Sequence, residues 1–185
     1  MKNKIREEMK QKRRNMMPEE VFEKSQMAQK IFLESEQYKN AKAIMLYLPL
    51  GNEVDTKAII NNAFSLEKKV LVPVTDSKTF EITAFKITEG MEFEKGTFSV
   101  KEPKERISFE LSKIDVVLVP GIAFDRDGGR IGFGKGCYDK FLKGIKAVKI
   151  GFCYDFQLVD SIETDENDVS MDYVITEKEI IRGKL

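Results

Sequence analysis

Between Gly128 and Asp139 the chain reads GGRIGFGKGCYD, five glycines around two cations, closed by an aromatic residue and a carboxylate. Gly132, Gly134 and Gly136 let the backbone turn tightly and bring N–H groups against an anion, which suits phosphate oxygens. A helix beginning near Tyr138 would aim its positive end at the same place, and Arg130 and Lys135 would add fixed and mobile charge. Asp139, in the first helical turn, would lie within reach of a divalent cation bridging phosphates. The spacing matches none of three familiar glycine-rich signatures. Lys135 is followed by Gly136 and Cys137, not by the Ser or Thr of a P-loop. Eleven residues, Gly121 to Ile131, separate Gly132 from the preceding strand, and the pattern is GxGxG, unlike a Rossmann turn. Gly129 and Gly136 stand where a calcium loop needs its third ligand and its terminal Glu. On these residues alone an anion cradle competes with a flexible glycine turn carrying a capping aspartate.

Composition narrows the chemistry. The sequence holds no histidine, which excludes a Ser-His-Asp triad, a Cys-His couple and a histidine zinc site. Carboxylates, lysines, arginines and tyrosines must carry the reaction, and that favours phosphoryl transfer, where catalysis is mostly positioning and charge neutralisation. Lys+Arg and Asp+Glu number 31 each, so no whole-chain field recruits nucleic acid or membrane. Cys137 and Cys153 form no CxxC pair and no disulfide framework, as in a reducing compartment. Cys137, near Lys135 and a helix start, is a weak candidate nucleophile because no base accompanies it. The charged start MKNKIREEMK and the lack of an apolar run near the ~18 residues of a membrane span predict a cytoplasmic protein without a cleaved leader.

The elements that must position these groups follow from periodicity. At 185 residues and 42% hydrophobic, the chain can bury a full core as one domain. Residues 2–16 place Ile5, Met9 and Met16 among seven Lys/Arg and two Glu, a basic helix with a thin apolar stripe. A second helix follows Pro18, with Val21, Phe22, Ala28, Ile31 and Phe32 inward. The apolar runs 43–48 and 115–120 read as buried strands, 70–74 and 148–152 as further strands, and 80–87 alternates as a half-exposed one. Asp55 or Thr56 would cap a helix with Ala58, Ile59, Ala63 and Phe64 inward, and 138–143 reads as helix. DYVIT (172–176) would be an edge strand before a polar C-terminal helix. Strands alternating with helices predict an α/β fold, a mainly parallel sheet flanked by helices, with ligands beyond the carboxyl ends of its strands. Glu53 and the glycine cluster both fall there.

VVLVPGIAFDRDGGRIGFGKGCYDKFL (116–142) resembles the signature of the 5-formyltetrahydrofolate cyclo-ligase (methenyltetrahydrofolate synthetase) family. The likeness extends through KNKIREEMKQKRRNM, YLPLGNEVDT and DENDVSMDYVIT in the family's order, over nearly the whole chain. It implies a three-layer α/β sandwich similar to ribose-phosphate isomerases and CoA transferases. It also implies ATP- and Mg²⁺-dependent conversion of 5-formyltetrahydrofolate, with or without a polyglutamate tail, into 5,10-methenyltetrahydrofolate by a monomer. Carried over, Lys2, Arg6, Arg130, Gly132, Phe133, Gly134, Lys135, Gly136, Cys137 and Tyr138 would reach ATP. Leu48 and Glu53 would contact the folate, with Phe133 to Cys137 bordering it, and Asp139 and Asp168 would hold Mg²⁺. Arg130, Lys135 and Glu53 would be the catalytic groups; Lys10, Lys12, Arg13 and Arg14 would lie beyond the ATP-contacting stretch. Two positions depart from the family's habit: Cys137 is usually aromatic there, which leaves the substrate wall smaller, and Phe133 is commonly polar or basic. A regulatory paralogue that binds nucleotide or folate, and an RNA-binding module using the basic helix, are the competing readings.

Overall fold

The computed structural model describes residues 2–184. Three helices come first: α1 (Lys2–Arg14), α2 (Pro18–Glu34) and the short α3 (Glu36–Asn40). Next are β1 (Ala43–Met45), α4 (Lys57–Ser65), β2 (Lys69–Thr75) and β3 (Ile82–Ile87). A small hairpin, β4 (Phe93–Lys95) and β5 (Lys101–Pro103), precedes β6 (Ile107–Ser108) and β7 (Val116–Val119). A second hairpin, β8 (Ala123–Asp125) and β9 (Arg130–Ile131), leads to α5 (Cys137–Lys143). The chain closes with β10 (Val148–Phe152), β11 (Leu158–Val159), β12 (Tyr173–Ile175) and β13 (Ile180–Arg182).

Eight strands form the main sheet in the order β13-β12-β10-β7-β1-β2-β3-β6. Its middle, from β12 to β2, is parallel throughout, and the strands added at both edges are antiparallel. Both faces of the parallel part are covered, which is why these segments read as unbroken apolar runs. Val116 and Leu118 of β7 face a core with Phe32 of α2, Tyr38 of α3 and Ile59 and Ala63 of α4. Val117 and Val119 face the opposite core with Phe141 and Leu142 of α5. All four β7 side chains are at most 1% exposed, and burying each contributes about 1.5–3 kcal/mol. A third, smaller core holds α1 through Ile5 and Met9 against Ile122, Ala123 and Ile131 of the three-stranded sheet β11-β8-β9.

Three expectations are corrected. No C-terminal helix forms: Thr176 turns the chain, its hydroxyl accepting from the Lys178 and Glu179 amides, and β13 pairs antiparallel with β12. The β-branched Ile180 and Ile181 suit that strand, and β12 becomes an interior strand. Phe22 is 64% exposed, because the buried face of α2 is carried by Ser25, Ala28, Gln29 and Phe32. Thr56 precedes α4, yet its hydroxyl donates to the Tyr47 carbonyl, so of the two expected caps only Asp55 meets the helix, its Oδ1 accepting from the Lys57 amide at 3.0 Å. The free amides of Ala58 and Ile59 donate instead to the Gln29 side chain, so α2 caps α4 across the core.

Candidate active site

Beyond the carboxyl ends of β1, β2 and β7 lies a cavity of ≈ 540 Å³, closed by α1 on one side and by the glycine segment on another. Lys2, Arg6, Leu48, Glu53, Arg130, Gly132 to Asp139 and Asp168 all line it, so every residue singled out from sequence converges on one space. The convergence has a mechanical cause. β7 ends at Val119, just before Pro120, the β8–β9 hairpin turns the chain back, and the glycine segment then crosses the strand ends to α5. Asp125, 4% exposed, organises that hairpin, accepting from the Asp127, Gly129 and Ile162 amides. Gly134 and Gly136 have φ of +102° and +66°, conformations that a side chain strains, which is how the segment bends over the cavity.

One end of the cavity is rich in charge. Arg6 Nε donates to the Gly132 carbonyl at 2.9 Å, which ties α1 to the glycine segment. Lys2 Nζ sits 2.8 Å from Asp168 Oδ2, and Arg130 Nη2 2.9 Å from Asp139 Oδ2. Asp139 Oδ1 also accepts from the Val169 amide at 3.2 Å, bringing the two carboxylate segments side by side. Burial raises the Asp168 carboxyl, but the Lys2 ammonium and the Asp165 amide outweigh it, and the net shift is below the ordinary value. Arg130 is 7% exposed, and its Nε has no partner among the described residues. The Lys135 ammonium lies 5.1 Å above the Phe80 ring, with no carboxylate partner among the described residues.

The other end is more apolar and holds the buried acid Glu53. Glu53 is 7% exposed; its Oε2 accepts from the Leu50 amide at 2.9 Å, and its Oε1 lies 3.8 Å from Arg13 Nη1. Burial pushes the Glu53 carboxyl up, while Arg13 and the Leu50 amide pull it back in part. The Tyr138 hydroxyl is also pushed up, by burial first and then by the Glu53 charge. Burial raises the Cys137 thiol as well, which argues against a nucleophile there.

Sequence reasoning missed two contributors. The β4–β5 hairpin supplies Thr97 and Phe98 to the cavity rim, and Phe98 stacks on Phe80 with ring centroids 6.1 Å apart. Both phenylalanines have positive φ, conformations that bulky residues adopt only where the surroundings impose them. No local pattern in that charge-rich stretch announces the hairpin. The second contributor is Arg13, expected among the outlying cations of α1 but only 12% exposed and turned toward Glu53. A signal for it existed: Lys2, Arg6, Met9 and Arg13 follow the i, i+4, i+7, i+11 spacing of one helical face.

The family model described as the 5-formyltetrahydrofolate cyclo-ligase family matches residues 1–177. The chain belongs to that family. A mouse relative named 5-formyltetrahydrofolate cyclo-ligase is 28% identical, covering 94% of this chain and 92% of its own. The Escherichia coli K12 protein of the same name is likewise 28% identical, over 93% and 98%. Among solved structures, the Aquifex aeolicus 5,10-methenyltetrahydrofolate synthetase superposes with a TM-score of 0.86 at 31% identity, covering 98% of this chain and 92% of that one. A Mycoplasma pneumoniae 5,10-methenyltetrahydrofolate synthetase gives 0.77 at 29%, over 96% and 99%. This chain is therefore an enzyme of the cyclo-ligase family, with the large helix-flanked sheet of that fold. Within this cyclo-ligase the cavity offers one end suited to stabilising anionic oxygens and another suited to gripping a flat, partly apolar ring system through one carboxylate.

Proposed function

We propose that this cyclo-ligase converts 5-formyltetrahydrofolate to 5,10-methenyltetrahydrofolate with consumption of ATP, and that both substrates share the ≈ 540 Å³ cavity. The observation that carries the reading is the division of that cavity into a cationic end and an apolar end with a buried acid. The triphosphate lies along Lys2, Arg6, Arg130, Lys135 and the backbone of Gly132, Gly134 and Gly136. The folate lies against Leu48, Phe133 and Cys137, with Glu53 accepting from its N–H groups. Tyr138 stands between the two.

A formamide carbon is a weak electrophile, so its oxygen is first made into a leaving group. The formyl oxygen takes the γ-phosphoryl group and ADP departs. N10 then attacks the formyl carbon and loses its proton. The C–O bond breaks, and phosphate leaves with the former formyl oxygen. Arg130 and Lys135 neutralise charge on the transferring phosphoryl group, and Glu53 orients the folate so that the formyl oxygen faces it. Asp139 and Asp168 fit Mg²⁺, an ion that takes one or two carboxylates plus substrate phosphates. No group of three or more His, Cys, Asp or Glu forms a metal cage among the described residues, so an ion held there would draw its remaining ligands from phosphates and water. Bound there, it would supply further charge neutralisation on the phosphates. The Lys2–Asp168 and Arg130–Asp139 pairs leave those acids and cations as each other's partners until nucleotide and ion replace them.

The orientation of α1 favours this reading over RNA binding. Lys2, Arg6 and Arg13 face the interior, while Lys10 and Lys12 pair with Glu7 and Glu8 on the outer face. The direct test mixes enzyme, MgATP and 5-formyltetrahydrofolate and follows the near-ultraviolet absorbance of the methenyl product. Product with stoichiometric ADP and phosphate is expected, and an ¹⁸O label in the formyl group should appear in the phosphate. No product at high enzyme concentration would favour the regulatory paralogue.

A further inference from the structure

Glu53 occupies an unusual position for an acid that must be ionised to grip a substrate. It is 7% exposed, and apolar surroundings favour its neutral form. The groups that face it come from four elements. The Leu50 amide of its own loop donates to it at 2.9 Å. Tyr47, beyond β1, and Tyr138 of α5 both feel its charge, but each is a neutral phenol, and the Tyr47 hydroxyl is already committed to the Val54 carbonyl at 2.8 Å. Arg130 stands over Tyr138 and is paired with Asp139. The cation that answers Glu53 is Arg13 of α1.

Arg13 does not line the cavity, although both side chains it touches there do. Its guanidinium is 3.8 Å from Glu53 Oε1 and 5.9 Å from the centre of the Phe133 ring, and Nη1 reaches the Gly121 carbonyl at 3.5 Å. Its own carbonyl accepts from Asn52 Nδ2 at 2.9 Å, and that amide also reaches the Met16 carbonyl at 3.3 Å. The loop carrying Glu53 is thus fastened to the end of α1 twice, by backbone and by side chain. From behind the wall, one guanidinium connects the acid of the apolar end with the aromatic residue of the glycine segment.

We infer that Arg13 is a positioning residue for folate recognition: it acts through Glu53 and Phe133, keeping the first charged and aimed and the second held flat against the same substrate. The inference rests on the proposed folate function of Glu53. A buried carboxylate stripped of its one cation takes up a proton, and a neutral acid presents an O–H donor where the substrate's N–H groups need an acceptor. A guanidinium fork that meets an acid and a ring together is also poorly replaced by a point charge.

The test uses the full-length chain with Arg13→Gln, which keeps a donor toward Gly121, and Arg13→Lys, which keeps the charge. The expected result for Arg13→Gln is a KM for 5-formyltetrahydrofolate raised about tenfold or more, the size of a lost charge-assisted hydrogen bond, with the KM for MgATP within about twofold. The acid limb of kcat/KM for the folate should move to higher pH, and Arg13→Lys should move it back. A second measurement needs no substrate: a ¹³C NMR titration of labelled glutamate carboxyls, with Glu53→Gln assigning the signal, should show Glu53 protonating at higher pH in Arg13→Gln than in the wild type. An unmoved Glu53 titration, or equal losses for both substrates with an unmoved acid limb, would overturn the inference. If Arg13→Gln does not fold, Arg13→Lys decides: wild-type KM for the folate in a protein without the guanidinium at position 13 would overturn the fork's part in holding Phe133. Wild-type enzyme that turns over no 5-formyltetrahydrofolate, yet shows the Glu53 shift on losing Arg13, would defeat the folate reading and leave the Arg13–Glu53 coupling standing.

Discussion

The two ends of the cavity handle charge in opposite ways. At the cationic end, Lys2, Arg130, Asp139 and Asp168 form two ion pairs that line the cavity, with Lys135 resting over a ring. On the proposed function a ligand exchanges those partners, each charge leaving one opposite charge for another. At the apolar end Glu53 is buried, with Arg13 behind it as the cation that answers it. On the proposed function, charge at the first end is re-paired by a ligand, whereas the Glu53–Arg13 pair at the second is in place before any ligand arrives. Substitutions at the two ends should therefore separate by substrate.

The largest effect is expected for Lys135→Met, which should lower turnover by on the order of 10²-fold or more with the fold intact by circular dichroism. Normal kinetics would reduce Lys135 to a turn residue. Glu53→Gln should raise the KM for 5-formyltetrahydrofolate by roughly 10- to 10²-fold while leaving MgATP binding, read by calorimetry, nearly unchanged. Equal loss for both substrates would erase the distinction between the ends. In the wild type, burial holds the Glu53 carboxyl above its ordinary value of 4.5 and the ionised form binds, so kcat/KM for the folate should fall as pH drops through a point above 4.5. The sign for stability is the reverse. The folded chain keeps that proton longer than the unfolded one, so Glu53 takes stability away as pH rises through the same window.

Smaller effects sharpen the phosphate end. Replacing both Lys2 and Arg6 with Ala should raise the KM for ATP about tenfold, with folate binding less affected. Asp139→Asn and Asp168→Asn should each raise the Mg²⁺ concentration needed for half-maximal rate; a change in Asp139→Asn alone would remove Asp168 from the ion's surroundings. Lys12→Ala, breaking an exposed i,i+4 pair with Glu8, should leave both substrates' kinetics within twofold and shift the melting temperature little, since solvent screens such a pair. A loss there comparable to that of the Lys2/Arg6 variant would revive the RNA-binding reading, and salt-dependent RNA affinity would check it.

The sequence by itself determined the parts that rest on local periodicity. The runs 43–48, 70–74, 115–120 and 148–152 read as strands, the first and third buried on both faces, and they became the parallel middle of the sheet. The glycine spacing and the absence of histidine pointed to a site built on backbone amides, cations and carboxylates, and those residues share one cavity. What depends on partners distant in the chain was decided by tertiary structure. Ile180 and Ile181 join a strand because β12 offers an edge, Gln29 caps a helix it precedes by almost thirty residues, and Phe22 is left outside because α2 packs through its neighbours. Arg13 shares its helical stripe with Lys2 and Arg6, yet only the docking of α1 against the Glu53 loop turns it from a solvated cation into the counter-charge of a buried acid. Periodicity records which face of a helix is special; the charge that waits opposite that face is set by the fold.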